Sequence, residues 1–183
     1  MIKLNCHQYE MLSLKELADR LHVDYYDVIT AMVQQAADKQ AELCRLDIHQ
    51  VTQSYTDTCG KLLQAISYYL YDRKEMLTPY LHQLHDKDTT GHNCAACSGN
   101  CEIGHKSHLV TLRESHLKIL SLLSELHVVA LPLYSNLSYP LIYKTLRDEM
   151  LLIEIVLKEL LYVEEAFLMA SIIRSQRKIN VHH

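Results

Sequence analysis

Glycine and proline, the residues that most reliably break regular structure, number only four and three in this chain of 183. Neither occurs in residues 1–59. Sheet-rich and alternating α/β folds need many short connections, and their turns draw on these two residues. So sparse a supply predicts an all-α chain. The positions of the breakers then divide it. Gly60 stands alone, Pro79 lies inside a periodic segment, Gly91, Gly99 and Gly104 crowd one stretch, and Pro132 and Pro140 bracket LPLYSNLSYP.

Between these breaks the apolar residues follow helical spacing. Ser13 and Glu16 form a capping-box pattern that starts a short helix over about 14–21, and Asp24 is a second N-cap. Val28, Met32, Val33, Ala36, Leu43 and Leu46 continue the periodicity. An unbroken helix over residues 24–85 would be about 90 Å long, too long for one compact domain. A break is therefore expected at TDTCG, residues 56–60. Leu62 to Leu81 mark the next helix, with a kink at Pro79, and Leu109 to Leu126 another. The last spans about Leu141 to Arg174. The expected fold is a single domain: a bundle of four long helices preceded by a helix-turn-helix-like unit at 14–32, with a Cys/His-rich loop between two bundle helices. Residues 150–157, MLLIEIVL, are apolar nearly all round, as in a helix that is central or lies at a subunit interface. A homo-oligomer, simplest as a dimer, is expected.

At 49% hydrophobic and 22% charged the composition suits one core and excludes disordered and collagen-like chains. No run approaches the roughly 18 apolar residues of a membrane span, and the first twenty residues have no signal-peptide core. A cytoplasmic location is expected, and in a reducing compartment clustered cysteines point to metal or redox chemistry rather than disulfides.

Six cysteines and twelve histidines are the compositional outliers. Residues 91–108, GHNCAACSGNCEIGHKSH, gather three of each. Cys94, Cys97 and Cys101 form C-x2-C-x3-C, with His92 before them and His105 and His108 after. The C-x2-C spacing lets two thiolates point at one ion from a single turn, and Ser98-Gly99-Asn100 brings a third round. If a helix begins near Cys101, His105 lies one turn onward and completes a tetrahedral site. Zinc is the expected metal, and iron, as an iron–sulfur cluster, is the alternative.

A second candidate site lies in the bundle. The spacing Leu109, Leu112, His116, Ile119, Leu123, Leu126 puts His116 in an apolar stripe, and Ile142, Leu146, Glu149, Ile153, Val156, Leu160 does the same for Glu149. Histidine and glutamate on facing helices are the ingredients of a bundle-core metal site, in kind resembling the hemerythrin-like and ferritin-like proteins, whose ligand spacings are absent here. Such a site implies a metal- or cluster-dependent redox or transfer enzyme. Glu154, Glu159, Glu164 and Glu165 read as a solvated or interface-edge face. His49, His82, His85, Cys44 and Cys59 read as packing or surface residues, and Tyr68-Tyr69-Leu70-Tyr71 as a packing face.

Residues 14–28, LKELADRLHVDYYDV, resemble the helix-turn-helix of bacterial regulators, with Leu17 and Ala18 in the first helix, Val23 at the turn and Val28 in the second. The resemblance implies a metal-responsive transcription regulator. Asp24 and Asp27 at the head of the recognition helix, and the net charge of −4, oppose DNA phosphates, so nucleic acid is not the expected partner. No nucleotide-binding loop, nucleophile elbow or H-E-x-x-H motif is present, and no substrate or small-molecule ligand is indicated. The leading expectation is a metal-binding helical bundle acting in binding, sensing or assembly, with catalysis left open.

Overall fold

The computed structural model describes residues 7–46, 50–91, 100–134 and 139–181, with the side chains of 7, 50–51, 100–107, 131–134 and 180–181 outside the description. Among the described residues all regular structure is helical, as expected. The elements are α1 (His7–Glu10), α2 (Leu14–Leu21), α3 (Asp27–Leu43), α4 (Gln50–Asp72), α5 (Thr78–Thr90), α6 (Asn100–Tyr134), α7 (Leu141–Val163) and α8 (Met169–Val181). Three π-helical turns, His22–Tyr26, Arg73–Leu77 and Glu164–Leu168, join α2 to α3, α4 to α5 and α7 to α8. The described residues therefore form four long rods: 14–43, 50–90, 100–134 and 141–181.

The first rod begins as the sequence predicts. The Ser13 hydroxyl accepts from the Glu16 N–H at 3.3 Å, and the Glu16 carboxylate accepts from the Ser13 N–H at 2.8 Å. The turn expected at Val23 is not there. Leu21, His22 and Asp27 keep right-handed helical dihedrals, so residues 14–43 run through as one rod, bulged rather than bent back. Without a turn there is no separate recognition helix. Arg20 pairs with Asp24 at 2.6 Å on the surface of this rod.

The break expected at residues 56–60 lies earlier, between Leu43 and Gln50. Thr56 and Thr58 are helical and turn their hydroxyls back onto the carbonyls of Thr52 and Ser54 at 2.8 and 2.9 Å, so polarity there does not release the backbone. Gly60 sits mid-helix because Gln40 of α3 crosses it. A Cβ at residue 60 would lie 3.1 Å from Gln40 Nε2, the atom that donates to the Thr56 carbonyl at 3.3 Å. Pro79 produces a π turn ahead of it. With no N–H of its own and a ring that crowds the preceding turn, proline is accommodated at the start of α5. Gly91, at φ 72°, ends α5 in the left-handed conformation that glycine adopts without cost.

The four rods surround one continuous core. The second rod packs on the first through α4 on α3 and α5 on α2; α4 also packs on α6, α3 on α7, and α5 on α8. Among the described residues α6 and α7 are neighbours in sequence that approach one another little along their backbones. Two side-chain bridges span them: His116 Nε2 to Glu164 Oε2 at 2.6 Å, and His127 Nε2 to Glu154 Oε2 at 2.7 Å. No described helix is long and apolar enough to cross a membrane. The capping box predicts that Ser13→Ala lowers stability by about 1 kcal/mol, read from the urea midpoint at unchanged slope.

Candidate functional site

The interior of this bundle contains an ion pair. Glu164 and Arg73 have side-chain exposures of 0% and 1%. Removing a carboxylate and a guanidinium from water is expensive unless both are paired and hydrogen-bonded. Both are. Tyr26 donates its hydroxyl to Glu164 Oε1 at 2.8 Å, and Tyr69 donates to Oε2 at 2.7 Å. His116 joins at Oε2, and Arg73 Nε lies 3.3 and 3.4 Å from the two oxygens. The remaining Arg73 nitrogens reach Asp72 and the Ser115 hydroxyl, each at 2.7 Å, and the guanidinium lies 4.3 Å from the centre of the Tyr69 ring.

The π turns place this cluster. Tyr26 ends the first, Arg73 begins the second and Glu164 begins the third. Each inserts a residue into its helix and so rotates the register of the helix that follows. Single π turns inside α-helices are frequent at functional sites.

The electrostatics follow from the contacts. Burial alone would push the Glu164 carboxyl up. The Arg73 charge and the bonds from His116 and Tyr69 overcome it and hold the group at about 2. Burial, then the Glu164 charge, raises the Tyr26 and Tyr69 phenols well above their ordinary value, so both stay protonated and donate. Burial opposes the Arg73 charge, but Glu164 outweighs it and the guanidinium stays charged. With both carboxylate oxygens occupied by donors and a guanidinium alongside, the centre offers no open position to a cation. It is a closed polar network joining all four rods.

His116 is also the link from this centre to the surface. It lines a groove of about 640 Å³ between α6 and the α7–α8 rod, together with apolar Leu117, Leu120, Leu161 and Tyr162. A carboxylate behind an imidazole that borders an apolar groove is an arrangement able to hold and orient a proton donor or acceptor. Among the described residues no serine, threonine or cysteine nucleophile shares the groove.

No family model, curated protein or solved structure matches this chain.

The other predicted residues are distributed as follows. His92, Cys94 and Cys97 lie outside the described residues. Cys101 and His105 lie on the first turns of α6, four positions apart, with their side chains outside the description. His108 stacks on Tyr80 with ring centres 4.2 Å apart, and burial, opposed by Asp72, lowers its pKa. His116 is buried in its apolar stripe as expected, but its partner is Glu164. Glu149 instead receives Lys39 of α3, and its second oxygen is buried without a hydrogen bond. The facing pair expected from His116 and Glu149 is thus replaced, because Glu149 faces the first rod. Among the described residues no three His, Cys, Asp or Glu side chains are grouped to hold a metal. His82 binds Asp19 at 2.8 Å, Cys44 is exposed, and Cys59 is buried with its thiol pushed up to about 12 by burial.

Glu164, Glu154, Tyr26 and Arg73 were not expected inside. Glu164 is fully buried and Glu154 nearly so, which corrects their reading as a solvated face. The signal is present: Leu157, Leu161, Glu164, Leu168 and Ile172 share one stripe, as do Ile66, Leu70, Arg73, Leu77 and Leu81. Two opposite charges each interrupt an otherwise apolar seam.

Glu164 ionises below the unfolded value of 4.5, so its contribution to stability is complete above that pH and is lost as pH falls towards about 2. Glu164→Gln is expected to cost about 3 kcal/mol at neutral pH, by leaving Arg73 buried without a counter-charge. It should also flatten the fall in stability between those two pH values, measured by urea unfolding at each pH.

Proposed function

We propose that this protein is a metal-binding helical bundle in which Cys94, Cys97, Cys101 and His105 hold a zinc ion at the connection between α5 and α6, with His92 and His108 flanking it. The observation that carries this reading is the start of α6 at Asn100. It sets Cys101 and His105 one helical turn apart, directly after the segment that supplies the C-x2-C pair, a spacing that suits two ligands of one tetrahedral ion. Gly91 supports it by ending α5 just before the segment. His108, held against Tyr80, is an outer neighbour in this reading. The bundle is then a scaffold for binding, sensing or assembly, and the zinc ties the ends of two rods.

An iron–sulfur cluster on the same thiolates is the second reading, favoured by the three-cysteine set, and it would supply redox chemistry. Elemental analysis and the absorption spectrum of protein purified without oxygen separate the two. Zinc near one per chain and no visible band is the expected result; iron with sulfide and a visible band selects the cluster. Cys97→Ser should lower metal content and melting temperature together, because structural zinc is coupled to folding. Unchanged metal content in Cys97→Ser would exclude the proposed ligand set.

A further inference from the structure

His116 turns one ring nitrogen to the polar centre and the other to the outside. Glu164 is ionised, so the proton of their 2.6 Å contact sits on Nε2. Nδ1 has no hydrogen-bond partner among the described residues, yet it is not one of the buried polar atoms left without one. It therefore opens onto the groove that His116 lines between α6 and the α7–α8 rod. With the proton on Nε2, the neutral ring offers a lone pair there, an acceptor whose tautomer the buried carboxylate fixes.

Two charged side chains line the same groove from opposite walls. Arg113 lies on α6 one turn before His116, and Glu165 directly follows Glu164. Because His116 bridges to Glu164, the two stand within about one turn of each other along the groove. Both are exposed, and neither enters an ion pair among the described residues. Lys158, the other cation of the lining, is taken by Glu154 at 2.6 Å. Around these groups the walls are apolar, with Leu117, Leu120, Leu161 and Tyr162, and the groove's 640 Å³ is the size of a small-molecule site. A lone carboxylate in it would meet Glu165, and a lone amine would meet Arg113. A molecule with both charges and an apolar body satisfies the unpaired cation, the unpaired anion and the Nδ1 acceptor together. We propose that this groove binds an α-amino acid with a large apolar side chain. Arg113 takes its carboxylate, Glu165 and His116 Nδ1 accept from its ammonium, and its side chain lies among Leu117, Leu120, Leu161 and Tyr162.

The proposal is independent of the zinc reading, since none of these residues lies in 92–108. It is tested by isothermal titration calorimetry of the full chain with phenylalanine as the probe. Phenylalanine is expected to bind with Kd below about 1 mM. Phenethylamine and phenylpropionate, each lacking one of the two charges, should bind at least about 10-fold more weakly. Arg113→Gln and Glu165→Gln, both at exposed positions, should each weaken phenylalanine binding at least about 10-fold, with circular dichroism unchanged. The Nδ1 nitrogen resonance of His116 should shift when phenylalanine is added and stay in place with phenylpropionate. No binding of phenylalanine, equal binding of either single-charge analogue, a Kd unchanged in either variant, or a His116 Nδ1 resonance that does not respond would overturn the proposal.

Discussion

A carboxylate without any exposed surface, held between four rods, is the constraint on which the rest of this structure depends. Glu164 accepts from Tyr26 of the first rod, Tyr69 and Arg73 of the second and His116 of the third, and itself belongs to the fourth. An apolar core tolerates sliding of one helix against another, since leucine against leucine is nearly indifferent to register. A buried charge with four donors does not. Moving any rod by one residue would leave a charge or a hydroxyl unpaired at low dielectric, at a cost comparable with the stability of the whole domain. The ion pair therefore specifies one arrangement of the bundle even if, set against an equally well-packed apolar core, it adds little net stability.

The π turns belong to the same constraint. A regular helix repeats its inward positions every three or four residues, and a seam that is apolar throughout fills them all. Tyr25 and Tyr26, and Val163 and Glu164, are buried in succession at the first and third turns, and the inserted residue resets the register of the helix that follows. Each insertion weakens the local hydrogen-bond ladder. That loss is tolerated because the side chains it delivers bond to one another. In the second rod Pro79 would interrupt the ladder in any case, and Thr78 helps by turning its hydroxyl onto the Arg73 carbonyl at 2.9 Å.

The bundle was legible from the scarcity of glycine and proline and from stripes such as Leu112, His116, Ile119 and Leu123, because amphipathic spacing follows directly from helix geometry. The break before Gln50 was not, since Gly60 looks like a breaker until Gln40 is seen to lie over it. The turn at Val23 failed because that pattern packs Val23 and Val28 inward, whereas the π bulge leaves both exposed and buries Tyr25 and Tyr26 in their place. The polar centre was half legible. His116 stood out as a polar residue in an apolar stripe, yet the same test applied to Arg73 and Glu164 would have found its partners. Long charged residues are so often surface residues that spacing alone does not assign them inward. Which glutamate meets which histidine is a tertiary fact, set by register between rods.

The looseness between α6 and α7 has a physical meaning beyond the groove itself. Elsewhere in the bundle neighbouring rods are held by close backbone approach, whereas α6 meets the fourth rod chiefly through two histidine–glutamate bridges. α6 is held instead by its close packing on α4, with the two bridges pinning it to the fourth rod. α6 is also the rod whose first turns carry Cys101 and His105, and whose exposed stripe carries Arg113, Leu117 and Val128. A metal ion bound at its start would act on a rod held by α4 on one side and by two side-chain bridges on the other. Glu164 already fixes the polar centre of the core. What an added ligand or partner has left to determine is how closely α6 lies against the rest of the molecule, and so how far His116 is shielded from water.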